Sequence, residues 1–267
     1  EENVKTKWAI LGKEQKDGIK KYIVGLVVSI AENPEVVRLH KNILSKGNSI
    51  LVQIVKQEWD NVWPSAVKDL AEACGQSQAL CENNLEILIM LSEEIFEDTK
   101  QTMVSAQLNR LKLKYCDNVK IIYDLCEKIG KMYIQDPSKI SPSLIKVCVK
   151  ALYSFLSWAP ASYIFMTDLL DGILIGLLPD PKLTVQVLQC CTDCFNISLN
   201  DFSVTDMNTS KAKIFNALQL LVARLVQIFP NNRRFREERI EKLKNHNQLT
   251  LFDNATKEIA LMFTGRQ

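Results

Sequence analysis

Apolar positions recur along most of this chain at spacings of three and four, the period of an amphipathic helix. Ile19, Tyr22, Ile23, Leu26 and Ile30 share one face of a first clear helix. Glu35–Trp59 predicts one long helix, interrupted near Gly47. Val67, Leu70, Ala71 and Cys74 mark a short helix after Pro64, where proline suits a first turn. Leu85–Phe96 is apolar nearly all round, which predicts deep burial. Val104, Leu108, Leu111, Tyr115, Val119, Ile122, Cys126 and Ile129 line a very long helix, with Arg110, Lys112, Lys114, Asp117 and Lys120 off that stripe. Leu144, Cys148, Ala151, Leu152 and Phe155 predict the next, which stops at Trp158-Ala159-Pro160, and Met166, Leu169, Leu170, Ile173 and Leu177 another. Asp180-Pro181 reads as an N-cap with proline at the first helical position, opening a helix with Val187, Leu188, Cys191 and Phe195. Ile214, Leu218, Leu221, Leu225 and Ile228 precede Pro230. A last segment with Phe252, Ala255, Ile259 and Met262 ends near Gly265, a C-cap.

These segments come in pairs with short corners at Trp63-Pro64, Trp158–Pro160 and Leu178–Pro181, and no alternating strand interrupts them. The repeat is irregular, and its average fits the roughly 40–47 residues of HEAT units. The predicted fold is all-α, a HEAT-repeat solenoid: a right-handed superhelix of antiparallel helix pairs, each burying one face on its neighbour. A compact bundle is the alternative, and it would need more deeply buried central helices than the pattern supplies. The 267 residues are 47% hydrophobic, with only 9 Gly and 8 Pro, which favours long helices and excludes a disordered chain. The net charge of +2 gives no general pull toward nucleic acid or anionic membrane. No apolar run approaches the roughly 18 residues of a membrane span. The chain opens at Glu1 in what reads as the tail of a helix, so a fragment of a longer protein is expected.

The sequence holds little that resembles catalytic chemistry. Cys190-Cys191-Thr192-Asp193-Cys194 contains a CxxC, a redox or metal signature in isolation. It falls mid-helix on the apolar stripe, without a second CxxC or a nearby histidine, and core packing is the preferred reading. The eight cysteines, scattered on helix faces, are expected as reduced thiols. His40 and His246 lie among polar residues and are expected at the surface. Glu93 and Glu94 are adjacent and so point in different directions, as a solvated helix-end pair. The run Arg233–Arg239 is diluted by Glu237 and Glu238 and reads as a connection between helices. Trp59, Trp63 and Trp158 sit at helix ends beside prolines, as wedges that set the angle between helix pairs. No enzyme class, catalytic residue, metal ligand or cofactor is expected.

Specific wording adds to this pattern. Thr6-Lys7-Trp8, Gly18–Leu26, Ile50–Trp59 with Trp63-Pro64, Leu91–Phe96, and Leu156–Pro160 with Tyr163-Ile164-Phe165 occur in this order. They resemble the N-terminal region of the exportins of the importin-β superfamily, nearest to the chromosome-region-maintenance exportins that receive leucine-rich nuclear export signals. The match spans most of Lys5 to about Cys194 and weakens beyond Phe202. The resemblance implies a nuclear export receptor that shuttles between nucleus and cytoplasm. Its partners would be the small GTPase Ran in its GTP form, export-signal cargo bound outside this stretch, and nucleoporins, with no direct nucleic acid and no membrane. It implies three parts: 1–47 closing a Ran-binding region, 48–200 an exportin-like HEAT domain, and 201–267 further divergent repeats.

Ran contacts in this family come mainly from the second helices of early repeats. By position these are Lys13–Ala31, Pro64–Gly75 and Thr102–Lys128, which makes Lys20, Lys68, Asp69, Glu72, Arg110, Lys114 and Asp117 the implied Ran-facing residues. An importin-type or other HEAT adaptor without export-signal binding is the alternative function within the same fold. A scaffold with no GTPase partner is the alternative from another class, and an enzyme reading would rest on Cys191 and Cys194 alone.

Overall fold

The computed structural model describes residues 2–96, 105–156, 158, 164–165, 167–196 and 204–228. Among these the chain is all-α. The order is α1 (Glu2–Lys7), a 3-10 turn (Trp8–Ile10), α2 (Lys13–Ala31), α3 (Pro34–Glu58), α4 (Ala66–Ala73), α5 (Gln78–Phe96) and α6 (Ser105–Gln135). A second 3-10 turn (Pro137–Lys139), α7 (Pro142–Leu156), a π-helical stretch (Leu169–Leu174) running into α8 (Ile175–Leu177), α9 (Thr184–Phe195) and α10 (Val204–Ile228) complete it. The chain divides into two compact units, Glu1–Leu125 with Ile140–Phe155, and Cys126–Lys139 with Leu156–Gln267.

In the first unit, α2 and α3 form a helical hairpin across Glu32 and Asn33. The Asn33 side chain accepts from the Glu35 and Val36 amides at 3.0 and 3.4 Å, and Pro34 fills the first helical position, so α3 starts where cap and proline coincide. The interruption expected near Gly47 lies instead at exposed His40, with φ −119° and ψ 26°. Gly47 has a different task. A Cβ there would come within 2.9 Å of Val27 Cγ2, so its bare backbone lets α2 and α3 approach closely while the helical bonds continue.

The centre of this unit is α5, whose Leu85, Ile87, Leu88, Ile89 and Leu91 are all fully buried, as its all-round apolar sequence requires. The stripe on α6 meets it. Tyr115 is fully buried, donates its hydroxyl to the Leu88 carbonyl at 2.8 Å and stands edge-on to Trp59 and Phe96, with ring centroids 5.6 and 6.0 Å apart. On α7 the predicted Leu144, Cys148, Ala151, Leu152 and Phe155 are likewise buried.

In the second unit, the end of α6 lies close under the π stretch. A Cβ on Gly130 would sit 2.7 Å from Ile173 Cγ2, and one on Gly176 2.7 Å from Ile134 Cδ1. The sequence predicts an ordinary helix here. The Asp168 carbonyl instead accepts from both Gly172 and Ile173 amides, at 2.9 and 3.0 Å, so the ladder steps from four residues to five. The wider turn brings Leu169, Leu170, Ile173 and Leu174 all inward. The expected helix start at Pro181 is also displaced. Asp180 spends its carboxylate on the Lys182 amide (2.8 Å) and the Tyr133 hydroxyl, and its carbonyl on the Leu183 and Thr184 amides. It closes a turn, and α9 begins at Thr184. The expected features at Thr102, Val104, Ala159, Pro160, Met166, Pro230, Arg233–Arg239, His246 and the segment from Phe252 to Gly265 lie outside the described residues.

Candidate functional site

The run Ile50–Trp59 that ends α3 is apolar except for Gln53, Lys56, Gln57 and Glu58, and both of its charged residues are only 2% exposed. Each charge is matched on a different neighbour. Lys56 Nζ lies 2.9 Å from Glu94 Oε2 on α5. Glu58 Oε2 lies 2.7 Å from Lys20 Nζ on α2. Glu94 is therefore not the solvated helix-end group expected from its position. Burial opposes its ionisation, yet the hydrogen bond from Lys56 and the Lys56 and Lys5 charges outweigh that, and its carboxyl titrates below the usual carboxylate range.

Beyond Glu58 the chain turns sharply. The amides of Asn61, Val62 and Trp63 all donate to the Glu58 carbonyl, at 3.3, 2.8 and 2.8 Å. The turn buries Trp59 completely and leaves Trp63 half-buried. Trp63 Nε1 donates to Asp69 Oδ2 at 2.7 Å, and the Ser65 hydroxyl to the same oxygen at 2.9 Å, which ties the corner to α4. From α6, Arg110 Nε meets Asp60 Oδ2 at 3.1 Å, while Lys114 donates to the Trp59 carbonyl and stands 5.7 Å over its ring. Lys20 stands 5.6 Å over the Trp63 ring.

Four of the seven residues named from the sequence, Lys20, Asp69, Arg110 and Lys114, thus converge from three helices on residues 58–63. Lys68 and Glu72 pair with each other along α4 at 3.6 Å, both well exposed. Asp117 is exposed on α6, three residues beyond Lys114. The arrangement offers an exposed charged rim around an aromatic corner: a surface for recognition by charge. The sequence reading missed the anions that organise it, Glu58 and Asp60. The signal was available, since a Lys and a Glu inside an otherwise apolar run must find partners when the run is buried.

The other candidates fall elsewhere. Cys190, Cys191 and Cys194 are fully buried on α9, and burial pushes the Cys191 thiol up to about 12 and the other two well above the ordinary value. They pack as core, the preferred reading of the CxxC. His40 is exposed. Among the described residues no cluster of three His, Cys, Asp or Glu is placed to hold a metal ion, and no helix is long and apolar enough to cross a membrane.

Comparison with known proteins gives this architecture a family. The model of the exportin 1-like protein family matches residues 40–195, the stretch from the second turn of α3 to the end of α9. The chain is 36% identical over 199 residues to Protein EXPORTIN 1B of Arabidopsis thaliana, covering 74% of this chain and 18% of that one. It is 33% identical over 221 residues to Exportin-1 of Schizosaccharomyces pombe, covering 81% and 20%, and 31% identical over 202 residues to Exportin-1 of Drosophila melanogaster, covering 76% and 18%. The chain spans about a fifth of the length of these curated relatives. The all-α helix pairs are accordingly those of a HEAT-repeat exportin domain, and the chain belongs to the exportin 1-like family.

Proposed function

We propose that this chain is the N-terminal part of a nuclear export receptor, working by binding and not by catalysis. The observation that carries the reading is the family match over residues 40–195 together with relatives that are named as exportins. The receptor binds Ran in its GTP form, takes leucine-rich export-signal cargo on a part of the protein outside this chain, and shuttles between nucleus and cytoplasm by contacting nucleoporins. Residues 1–47 close the Ran-binding region, 48–200 form the exportin-like domain, and 201–267 continue the repeats.

Within this reading the seven residues divide by task. Lys68, Glu72, Arg110 and Asp117 keep their charges exposed and are assigned to direct contact with Ran. Lys20, Asp69 and Lys114 hold the corner that presents them. Complementary rim charges chiefly set association rate and specificity, so their reversal should slow association and flatten its dependence on salt. The experiment is binding of the chain to Ran loaded with a non-hydrolysable GTP analogue, with the GDP form as control. Preference for the GTP form is expected, weakened by Lys68→Glu combined with Asp117→Lys. Equal affinity for the two nucleotide states in both this chain and the full-length receptor overturns the reading. It would leave a HEAT adaptor without a Ran switch.

A further inference from the structure

The hairpin of α4 and α5 contains a cysteine pair that the transport reading does not use. Cys74 follows the last residue of α4, and its amide donates to the Ala71 and Glu72 carbonyls. Three residues later Ser77 opens α5: its hydroxyl accepts from the Leu80 amide at 3.1 Å and its carbonyl from the Cys81 amide at 3.0 Å. Cys81 therefore sits in the first turn of a 19-residue helix. The two helices pack against each other, which brings the end of α4 beside the start of α5 across the short turn. Cys74 Sγ donates to the Leu70 carbonyl at 3.3 Å and lies 4.0 Å from the Cys81 carbonyl.

We propose that Cys74 and Cys81 form a reversible thiol–disulfide pair, oxidised by peroxides, that staples the end of α4 to the start of α5. The chemistry favours Cys81 as the attacking sulfur. The neighbouring Cys74 side chain draws its thiol below the ordinary value, against the opposing effects of burial and of Glu82. The first turn of a helix favours the same thiolate. Cys116, Cys190, Cys191 and Cys194 are instead pushed up, chiefly by burial, and the last three are sealed in the core. Cys74 and Cys81 are buried, with 8% and 3% exposure, so the oxidant must be as small as hydrogen peroxide.

In the first step the Cys81 thiolate attacks one peroxide oxygen. The O–O bond breaks, the departing oxygen takes a proton and leaves as water, and Cys81 becomes a sulfenic acid. The Cys74 sulfur then attacks the Cys81 sulfur, and the hydroxyl leaves with the Cys74 proton as a second water. Two thiols lose two electrons and two protons, and one peroxide is reduced to two waters. A low-molecular-weight dithiol reverses the bond by exchange.

The experiment uses the full, reduced chain. It is treated with an equivalent of hydrogen peroxide, the remaining thiols are alkylated, and a tryptic digest is mapped by mass spectrometry without reduction. Residues 69–100 contain no internal Lys or Arg, so both sulfurs fall on one peptide. The expected result is loss of two hydrogens and of both alkylation sites on that peptide before any other cysteine is oxidised, restored by dithiothreitol. In Cys74→Ser, Cys81 should stay as a sulfenic acid that dimedone traps. Alkylated Cys74 and Cys81 after treatment, or earlier oxidation of the more exposed Cys116, overturns the proposal.

Discussion

Lys20→Met takes away the cation that faces Glu58 and strands a buried carboxylate. The two groups lie 2.7 Å apart, with Glu58 2% and Lys20 22% exposed. Methionine keeps much of the aliphatic stem, so the loss is mainly of charge. Breaking a buried pair by removing one partner costs about 3–5 kcal/mol, and the partial exposure of Lys20 places this case at the lower end, about 3 kcal/mol. The informative comparison is Lys20→Met with Glu58→Met. Among the described residues Glu58 Oε1 accepts no hydrogen bond, so the carboxylate is only half compensated even in the parent chain. Replacing both charges by apolar groups of similar volume is then expected to leave stability within about 1 kcal/mol of the parent. The double variant should be more stable than the Lys20 single variant. Urea unfolding followed by tryptophan fluorescence is a suitable assay, because Trp8, Trp59 and Trp63 all belong to the first unit. With a slope of about 2 kcal/mol per molar, a loss of 3 kcal/mol lowers the midpoint by about 1.5 M. A single-variant midpoint within about 0.3 M of the parent, or a double variant less stable than the single, would refute the view of Lys20 as a structural clamp.

Two glycines should respond in opposite directions. Gly18→Ala, at an exposed helical position with no atom within 4 Å of the added Cβ, should stabilise by about 0.5–1 kcal/mol. Gly130→Ala, whose Cβ would meet Ile173 Cγ2 at 2.7 Å, should destabilise by about 1–3 kcal/mol, both read by thermal unfolding. Because the Glu94 carboxyl titrates below its unfolded value, its contribution is fully present above about pH 4.3 and fades as the pH falls through the lower, folded pKa. Glu94→Gln should flatten the acid limb of a stability–pH curve, and an unchanged limb would count against the Lys56 pairing. The hydrogen bond to Asp180 raises Tyr133 to about 12, so spectrophotometric titration should find a late-ionising tyrosine that moves toward 10 in Asp180→Asn. The stability from that bond is complete below about pH 10 and disappears as the pH rises through 12.

Much of the fold was legible because helix faces here are simple. The α6 stripe Leu111, Tyr115, Val119, Ile122 and Cys126 is completely buried, as its three-and-four spacing demands. What escaped was local backbone detail decided by tertiary contact. Gly47 looked like a break because glycine usually weakens a helix, yet here it admits Val27. Asp180 looked like an N-cap, but Tyr133, distant in sequence, competes for its carboxylate. The π turn at Leu169–Leu174 leaves no mark in an apolar sequence that fits either helical period. The charged corner was half legible. Its cations and Asp69 stand off the apolar stripes and could be named, whereas Glu58 and Asp60 become partners only once α2, α3 and α6 are brought together.

The opposed charges near the end of α3 also bear on how such a chain assembles correctly. Neighbouring helix pairs in a repeat protein resemble one another, and docking on the wrong neighbour or one turn out of step is their characteristic failure. Leucine and isoleucine contacts discriminate poorly against a slip of about 5.4 Å, since one apolar knob replaces another. Lys56 and Glu58 do not tolerate it. Lys56 must meet α5 and Glu58 must meet α2, and any offset docking buries at least one ion without its counterpart. Two residues of opposite sign on one short segment therefore act as address labels, proofreading the placement of three helices.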